Sequence, residues 1–124
     1  MKVDKHKLLS EYTIEEMLKS GLIEYLGMGG FFRKHHRFRC RLCGKGMVVF
    51  KPKSYRSIVN HVAINHSEYF YVWRRRAILR LLKETTVGLT VFDSKHDLRI
   101  LNDLMKEGKI ALIETKRGTI VVLK

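Results

Sequence analysis

Four residues, Cys40, Cys43, His61 and His66, constrain this chain more than any other feature. They fall as Cys-x2-Cys, a gap of seventeen residues, then His-x4-His. Thiolate and imidazole are the donors Zn²⁺ prefers, four at a time in a tetrahedron. A Cys-x2-Cys pair on a tight turn points two sulfurs at one spot. Two His about one helical turn apart offer two rings from one face. Two thiolates cancel the charge of the ion. A unit this small lacks the apolar surface to fold alone, and a structural metal supplies the difference, on the order of 10 kcal/mol. The spacing predicts a zinc-closed unit with the Cys pair on a hairpin and the His pair on a helix. The plain alternative is a reduced Cys pair beside two ordinary His, since a disulfide is disfavoured inside a cell. His35 and His36 form a further pair of potential ligands, read here as part of a basic strand leader.

The residues between the ligands support the same unit. Phe38, Cys40 and Leu42 alternate with Arg37, Arg39 and Arg41, a strand pattern that follows Phe31-Phe32-Arg33. Gly44-Lys45-Gly46 turns the chain, Met47-Val48-Val49-Phe50 returns it, and Pro52 closes the strand. Ser54 can cap a helix carrying Ile58, Val59, Val62 and Ile64. Phe38 stands two before Cys40, Met47 four after Cys43, and Ile58 three before His61. On these residues, from Phe38 to Ser67, the chain resembles a C2H2 zinc finger, whose small core uses those three apolar positions. The stretch between Cys43 and His61 is longer than that family's usual ~12 residues, with the extra length around Val48–Ser57. The resemblance implies Zn²⁺ on the four ligands and a helix face of Ser54, Arg56, Ser57 and Asn60 toward the major groove. Whether such a finger reads DNA or only staples the fold stays open.

Charge points to the partner class. The 124 residues hold 25 Lys+Arg against 12 Asp+Glu, a net +13, and 45% are hydrophobic. That composition folds, as one domain or two very small ones, and wants a polyanion: DNA, RNA or an anionic membrane surface. No apolar run approaches the ~20 residues of a membrane span, and Met1–Tyr12 lacks the apolar core of a signal peptide. An intracellular, cytoplasmic protein is expected, in the host cytoplasm if viral. Residues 25–67 carry nine Lys/Arg and no acid, whereas residues 1–24 are net −1. The acidic-leaning start is therefore expected to stay off a nucleic-acid surface and to serve packing or self-association. Gln is absent and Asn occurs three times. Such a shortage of amides suits a hyperthermophilic source, archaeal or an archaeal virus, or equally the codon bias of a small gene.

Thr13-Ile14-Glu15-Glu16 is a capping box that predicts a helix start, with Gly21 or Gly27–Gly30 as its end. Trp73, Ala77, Ile78, Leu81 and Leu82 make a helix stripe, with Arg74, Arg75, Arg76 and Arg80 on other faces. This helix either continues the one before it or restarts at Ser67. Asp93 or Ser94 caps a helix with a buried stripe of Leu98, Leu101, Leu104 and Met105, and Gly108 ends it. Ile110–Glu114 and Thr119–Leu123 are strands joined by a tip of Lys116, Arg117 and Gly118. On the Leu98-x2-Leu101-x2-Leu104 helix, the Gly108 stop and the two strands, residues 71–124 resemble the latter part of a winged-helix domain. That resemblance implies a recognition helix facing out through Lys95, Arg99, Asn102 and Lys106, and a wing with Lys116 and Arg117 at its tip. Only about ten residues, Thr85 to Ser94, are left for the middle helix that family has.

The expectation is an α+β chain in three segments: a helical 1–30, a C2H2 finger over 31–67 and a winged-helix-like 68–124. Its expected function is zinc-containing, sequence-specific binding of double-stranded DNA in transcriptional regulation. The expected contacts are Arg39, Arg41, Arg56, Asn60, Lys95, Arg99, Asn102, Lys106, Lys116 and Arg117. A lone finger spans about three base pairs, so the second unit or a homodimer must supply the rest. No membrane or small-molecule partner is expected. The alternative is a zinc-stabilised adaptor for protein or RNA. A metal-dependent nuclease is less favoured. Glu114-x-Lys116 with Asp93 echoes one, and His35-His36 with Asn60 and Asn65 echoes a His-Asn-His site. Four ligands on one zinc would leave no position for water, so no catalysis is expected.

Overall fold

The computed structural model describes residues 4–30, 34–50 and 55–124. Among these the chain is α+β, with four helices and two three-stranded antiparallel sheets. Helix α1 spans Lys5–Ser20. Its cap is Asp4, whose carboxylate accepts the Lys7 backbone N–H at 3.2 Å. The Thr13–Glu16 box is therefore not a helix start, because the apolar stripe already begins at Leu9. Thr13 is instead buried mid-helix, and its hydroxyl donates to the Leu9 carbonyl at 2.7 Å. Gly21, at φ 81°, does end the helix; its N–H and that of Leu22 close on Leu18 and Met17.

The expectation of a helical segment across 1–30 is corrected beyond Gly21. Ile23–Gly29 is a strand, β1, paired with β2 (His35–Cys40), so that Tyr25 lies opposite Phe38. Gly27, at φ 96°, follows a register shift after Tyr25, so these glycines serve a β-bulge rather than a helix stop. The expected hairpin forms between β2 and β3 (Gly46–Phe50), with Phe38 opposite Met47. β1 thus adds a third strand to it, in the order β1-β2-β3. Phe31–Arg33, Pro52 and the expected cap Ser54 lie outside the described residues.

Helices α2 (Arg56–Asn65) and α3 (Ser67–Glu84) are separate, broken at His66. Ile64, expected in the buried stripe, is 78% exposed. The stretch from Thr85 to Ser94 holds a two-residue strand β4 (Val87–Gly88) and one 3-10 turn at Leu89–Val91. Helix α4 spans Lys95–Lys106, and the Ser94 hydroxyl accepts from the Asp97 N–H at 3.1 Å. Its buried side is Asp97, Ile100, Leu101 and Leu104. Leu98 and Met105 are exposed, contrary to expectation, because at ~100° per residue they fall roughly 140° and 120° from the centre of the Ile100–Leu104 arc, on the outer side of the helix. Strands β5 (Ile110–Thr115) and β6 (Gly118–Leu123) turn at Lys116-Arg117 and complete a sheet ordered β4-β6-β5.

Two cores result. One gathers Ile14, Met17, Ile23, Phe38, Met47, Ile58 and Val62 beneath the first sheet. The other gathers Leu9, Ile78, Leu81, Phe92, Ile100, Leu104 and Val121. Helices α1 and α3 run through both. At the junction the Arg74 guanidinium, 8% exposed, donates twice to Asp97 (2.7 and 2.8 Å) and once to the Thr13 hydroxyl (3.0 Å). No described helix is long and apolar enough to cross a membrane.

Candidate metal centre

The hairpin turn and the α2–α3 corner bring Cys40, Cys43, His61 and His66 together. Cys40 ends β2, and its N–H donates to Lys45 O at 2.9 Å. Gly44, at φ 79°, returns its N–H to Cys40 O at 2.7 Å, a turn that a side chain at position 44 would strain. The Arg41 N–H donates to Leu22 O at 2.9 Å and fixes this turn to the end of α1.

His61 lies within α2, but His66 does not. In an unbroken helix five residues turn about 500°, placing the second ring some 140° from the first. The break at His66, with φ −137° and ψ 51°, swings its ring back. The two ring centroids are 5.2 Å apart at an interplanar angle of 74°. The broken corner, not a shared helix face, makes the four-residue gap work.

One donor atom from each of the four residues lies within 4.8 Å of every other. Cys43 Sγ and His61 Nε2 are 3.3 Å apart. A tetrahedral site with bonds of about 2.0–2.3 Å has edges of about 3.3–3.8 Å, so the cluster needs little contraction to hold an ion. His66 Nε2 is buried with no hydrogen-bond partner among the described residues. Such an orphan is costly unless something occupies it, and a metal ion fits.

The electrostatics suit ligation. Burial, and then the Lys45 charge and His66, hold His61 below its ordinary pKa, so its ring stays neutral with a lone pair to give. Burial pushes the Cys40 thiol up, offset in part by backbone N–H groups of Cys43 and Leu42. A cation is what would make that buried thiolate stable. Asn65, noted in the sequence only for the His-Asn-His echo, supports a ligand instead. Its amide nitrogen donates to His61 O at 3.0 Å and lies 3.3 Å from His61 Nδ1. Ligation through Nε2 leaves the ring proton on Nδ1, so a loaded centre would turn the Asn65 amide to offer its oxygen there.

The four residues are the one group able to hold a metal found among the described residues. His35 lies tilted against the Phe50 ring, with centroids 5.3 Å apart, and His36 Nδ1 meets the Tyr25 hydroxyl at 2.8 Å. Phe38, Met47 and Ile58 are all buried in one core with Cys40, as the zinc-finger resemblance implied.

The expected nucleic-acid contacts divide. Arg56, Asn60, Lys95, Asn102, Lys106, Lys116 and Arg117 are exposed, and Arg99 is exposed while lying over the Tyr71 ring, 5.3 Å from its centroid. Arg39 and Arg41 are exposed too, but both pair with Glu24 on β1, at 2.6 and 3.5 Å. The acid-free stretch in sequence is thus not acid-free in space. The α3 arginines are likewise engaged: Arg75 with Glu107, Arg80 with Glu15, and Arg76 over Trp73.

No protein-family model, curated protein or solved structure matches the chain.

Proposed function

We propose that this chain is a zinc-containing, sequence-specific double-stranded DNA-binding protein that acts as a transcriptional regulator. The observation that carries the reading is the outer face of α4. Lys95, Arg99, Asn102 and Lys106 are all exposed and lie opposite the buried side of the helix. Arg matches guanine edges bidentately, Asn matches adenine, and Lys holds phosphates. In this reading β2, β3 and α2 are a C2H2 finger, and α4 with the β5–β6 hairpin serves as recognition helix and wing.

The metal is zinc because two thiolates and two imidazoles are its preferred set, and four protein ligands close the coordination sphere. A closed sphere leaves no position for an activated water, so the reading gives the centre a structural role and assigns no catalysis. Metal analysis of the purified chain should find one equivalent of zinc.

The test is selection from random duplexes at two salt concentrations. A regulator should enrich one site by at least ~10³ over random competitor. Its log affinity should fall against log salt with a slope near −0.9 per phosphate neutralised. If no site is enriched, the regulator reading fails. The exposed apolar Ile64, Tyr69 and Val72 around the α2–α3 corner favour a second reading, a zinc-stabilised adaptor for another protein. Salt-insensitive capture of a protein partner, without duplex binding, would decide for it.

A further inference from the structure

The cations of this molecule divide into those already answered and those that are not. Arg74, Arg75 and Arg80 pair with carboxylates inside the fold, and Arg39 and Arg41 share Glu24. Lys7, Arg56 and Arg117 make no ion pair among the described residues. They belong to α1, α2 and the β5–β6 tip, far apart in sequence.

Two grooves bring them into one surface. The first, about 710 Å³, is lined by Lys7, Arg56 and Asn60, with Asp93 and Ser94 leading into α4. The second, about 640 Å³, is lined by Lys5, Arg117 and the β6 start. Lys5 and Lys7 share the first turn of α1, so that turn stands between the grooves. Lys5 is held in place, its ammonium donating to Thr86 O at 2.8 Å beside the second sheet. Among the described residues no acid lines the second groove. Asp4 and Asp93 line the first, and Asp4 is occupied as the cap of α1.

We propose that the first turn of α1 is part of the duplex-DNA interface. Lys5 and Lys7 join the Arg56–Asn60 face of α2 to Arg117 at the β5–β6 tip in one phosphate-binding track. The proposal rests on the DNA-binding reading above, and it reverses the expectation that the acidic-leaning start of the chain stays off the partner. Most acids of that start are spent: Glu15 holds Arg80, Glu24 holds Arg39, and Asp4 caps the helix, while Glu11, one turn beyond Lys7, acts on Tyr55 at the first groove. Duplex DNA offers one charge per ~1.7 Å of axis, so a row of point-charge lysines meets phosphates without base readout. A single strand would also need aromatic faces to stack on. The aromatic lining these grooves, Tyr55, is already packed edge-on against Phe38.

The experiment uses the zinc-loaded full chain and a labelled duplex carrying the selected site, titrated over a range of salt. Lys7→Gln should make the log–log salt slope shallower by about 0.9, and Lys5→Gln with Lys7→Gln by about 1.8. Asp93→Asn removes the groove's unspent acid and should tighten binding. Lys19→Gln, at the other end of α1, should match wild type. Lys7→Gln is the decisive variant, since the Lys7 side chain makes no hydrogen bond or ion pair among the described residues whereas Lys5 ties α1 to Thr86. If wild type binds the duplex but Lys7→Gln and Asp93→Asn leave slope and affinity unchanged, the track is overturned while the DNA reading stands. If wild type binds no duplex at any salt, or binds only single-stranded RNA, both fall together.

Discussion

Among the described residues the two halves of this molecule bury the same number of core residues, thirteen each, and are closed in different ways. The half around α4 and the second sheet is closed by carbon: Phe92, Ile78, Leu81, Ile100 and Leu104 are all at most 1% exposed. Each such side chain stabilises by roughly 1.5–3 kcal/mol. The half around the first sheet counts Cys40 in its core and is finished by Cys43, His61 and His66. Its own elements are short, with five residues in β3 and ten in α2, below the ~12–15 at which an isolated helix holds. Equal burial therefore does not mean equal self-sufficiency. The halves are not separate beads either. Leu9 and Tyr12 of α1 sit in one core, Ile14 and Met17 in the other, and α3 likewise spans from Phe70 to Leu82.

The largest test of that contrast is removal of the zinc that the proposed function puts on Cys40, Cys43, His61 and His66. Cys40→Ser, or a strong chelator, should abolish stoichiometric zinc and melt β1–β3 and α2, a loss on the order of 10 kcal/mol. Amide exchange should show those elements exposed while α4, β5 and β6 stay protected. If all amides lose protection together, α1 and α3 couple the halves into one folding unit, and the contrast drawn here is wrong.

Next in size is the bond between the halves. Arg74→Met leaves Asp97 buried, 1% exposed, with its guanidinium partner gone, and should cost about 3–5 kcal/mol by urea denaturation. The double change Arg74→Met with Asp97→Leu should recover most of that loss, since a buried pair often does no better than apolar residues of similar size. Recovery of stability with zinc retained would show that the pair fixes the register of α1, α3 and α4 rather than supplying their adhesion.

These residues also show what the sequence could and could not reveal. The Cys and His spacing was legible because ligand chemistry admits few arrangements. The β5–β6 hairpin was legible because its turn and alternation are local. The pairing of Arg74 with Asp97, and of Arg39 and Arg41 with Glu24, was not. Each joins residues distant in sequence, and segment charge says nothing about partners. β1 was hidden for a similar reason: its glycines look like a stop, and only pairing with β2 turns Gly27 into a bulge. The start of α1 was misplaced because Thr13 and Glu16 have cap spacing in a helix already begun at Asp4.

A smaller effect belongs to the metal half alone. Asn65→Leu removes the amide beside His61 Nδ1 and should weaken zinc retention about 10- to 100-fold, measured by competition with a chelator. Asn65→Asp, which offers a carboxylate to the Nδ1 proton, should hold zinc at least as tightly as wild type. The urea midpoint of the other half should not move in either variant. Equal zinc affinity in all three chains would remove Asn65 from the centre.

The smallest effect belongs to the other half and comes from acid. Arg75 donates to both oxygens of Glu107 at 2.7 and 2.6 Å, tying α3 to the end of α4. This guanidinium, with Lys109 behind it, holds the Glu107 carboxyl down at about 2, against an ordinary 4.5. A depressed folded pKa means the pair's contribution is complete above about 4.5 and is lost as the pH falls toward 2. Glu107→Gln should therefore be slightly less stable than wild type at neutral pH, by the small amount an exposed pair supplies, with the gap closing in that acid window. Zinc release on acidification follows protonation of its ligands instead, so its midpoint should be the same in both chains. A shift of that midpoint in Glu107→Gln would mean that α3 carries strain from one half to the other, and the metal would then act on the whole fold rather than on its own half.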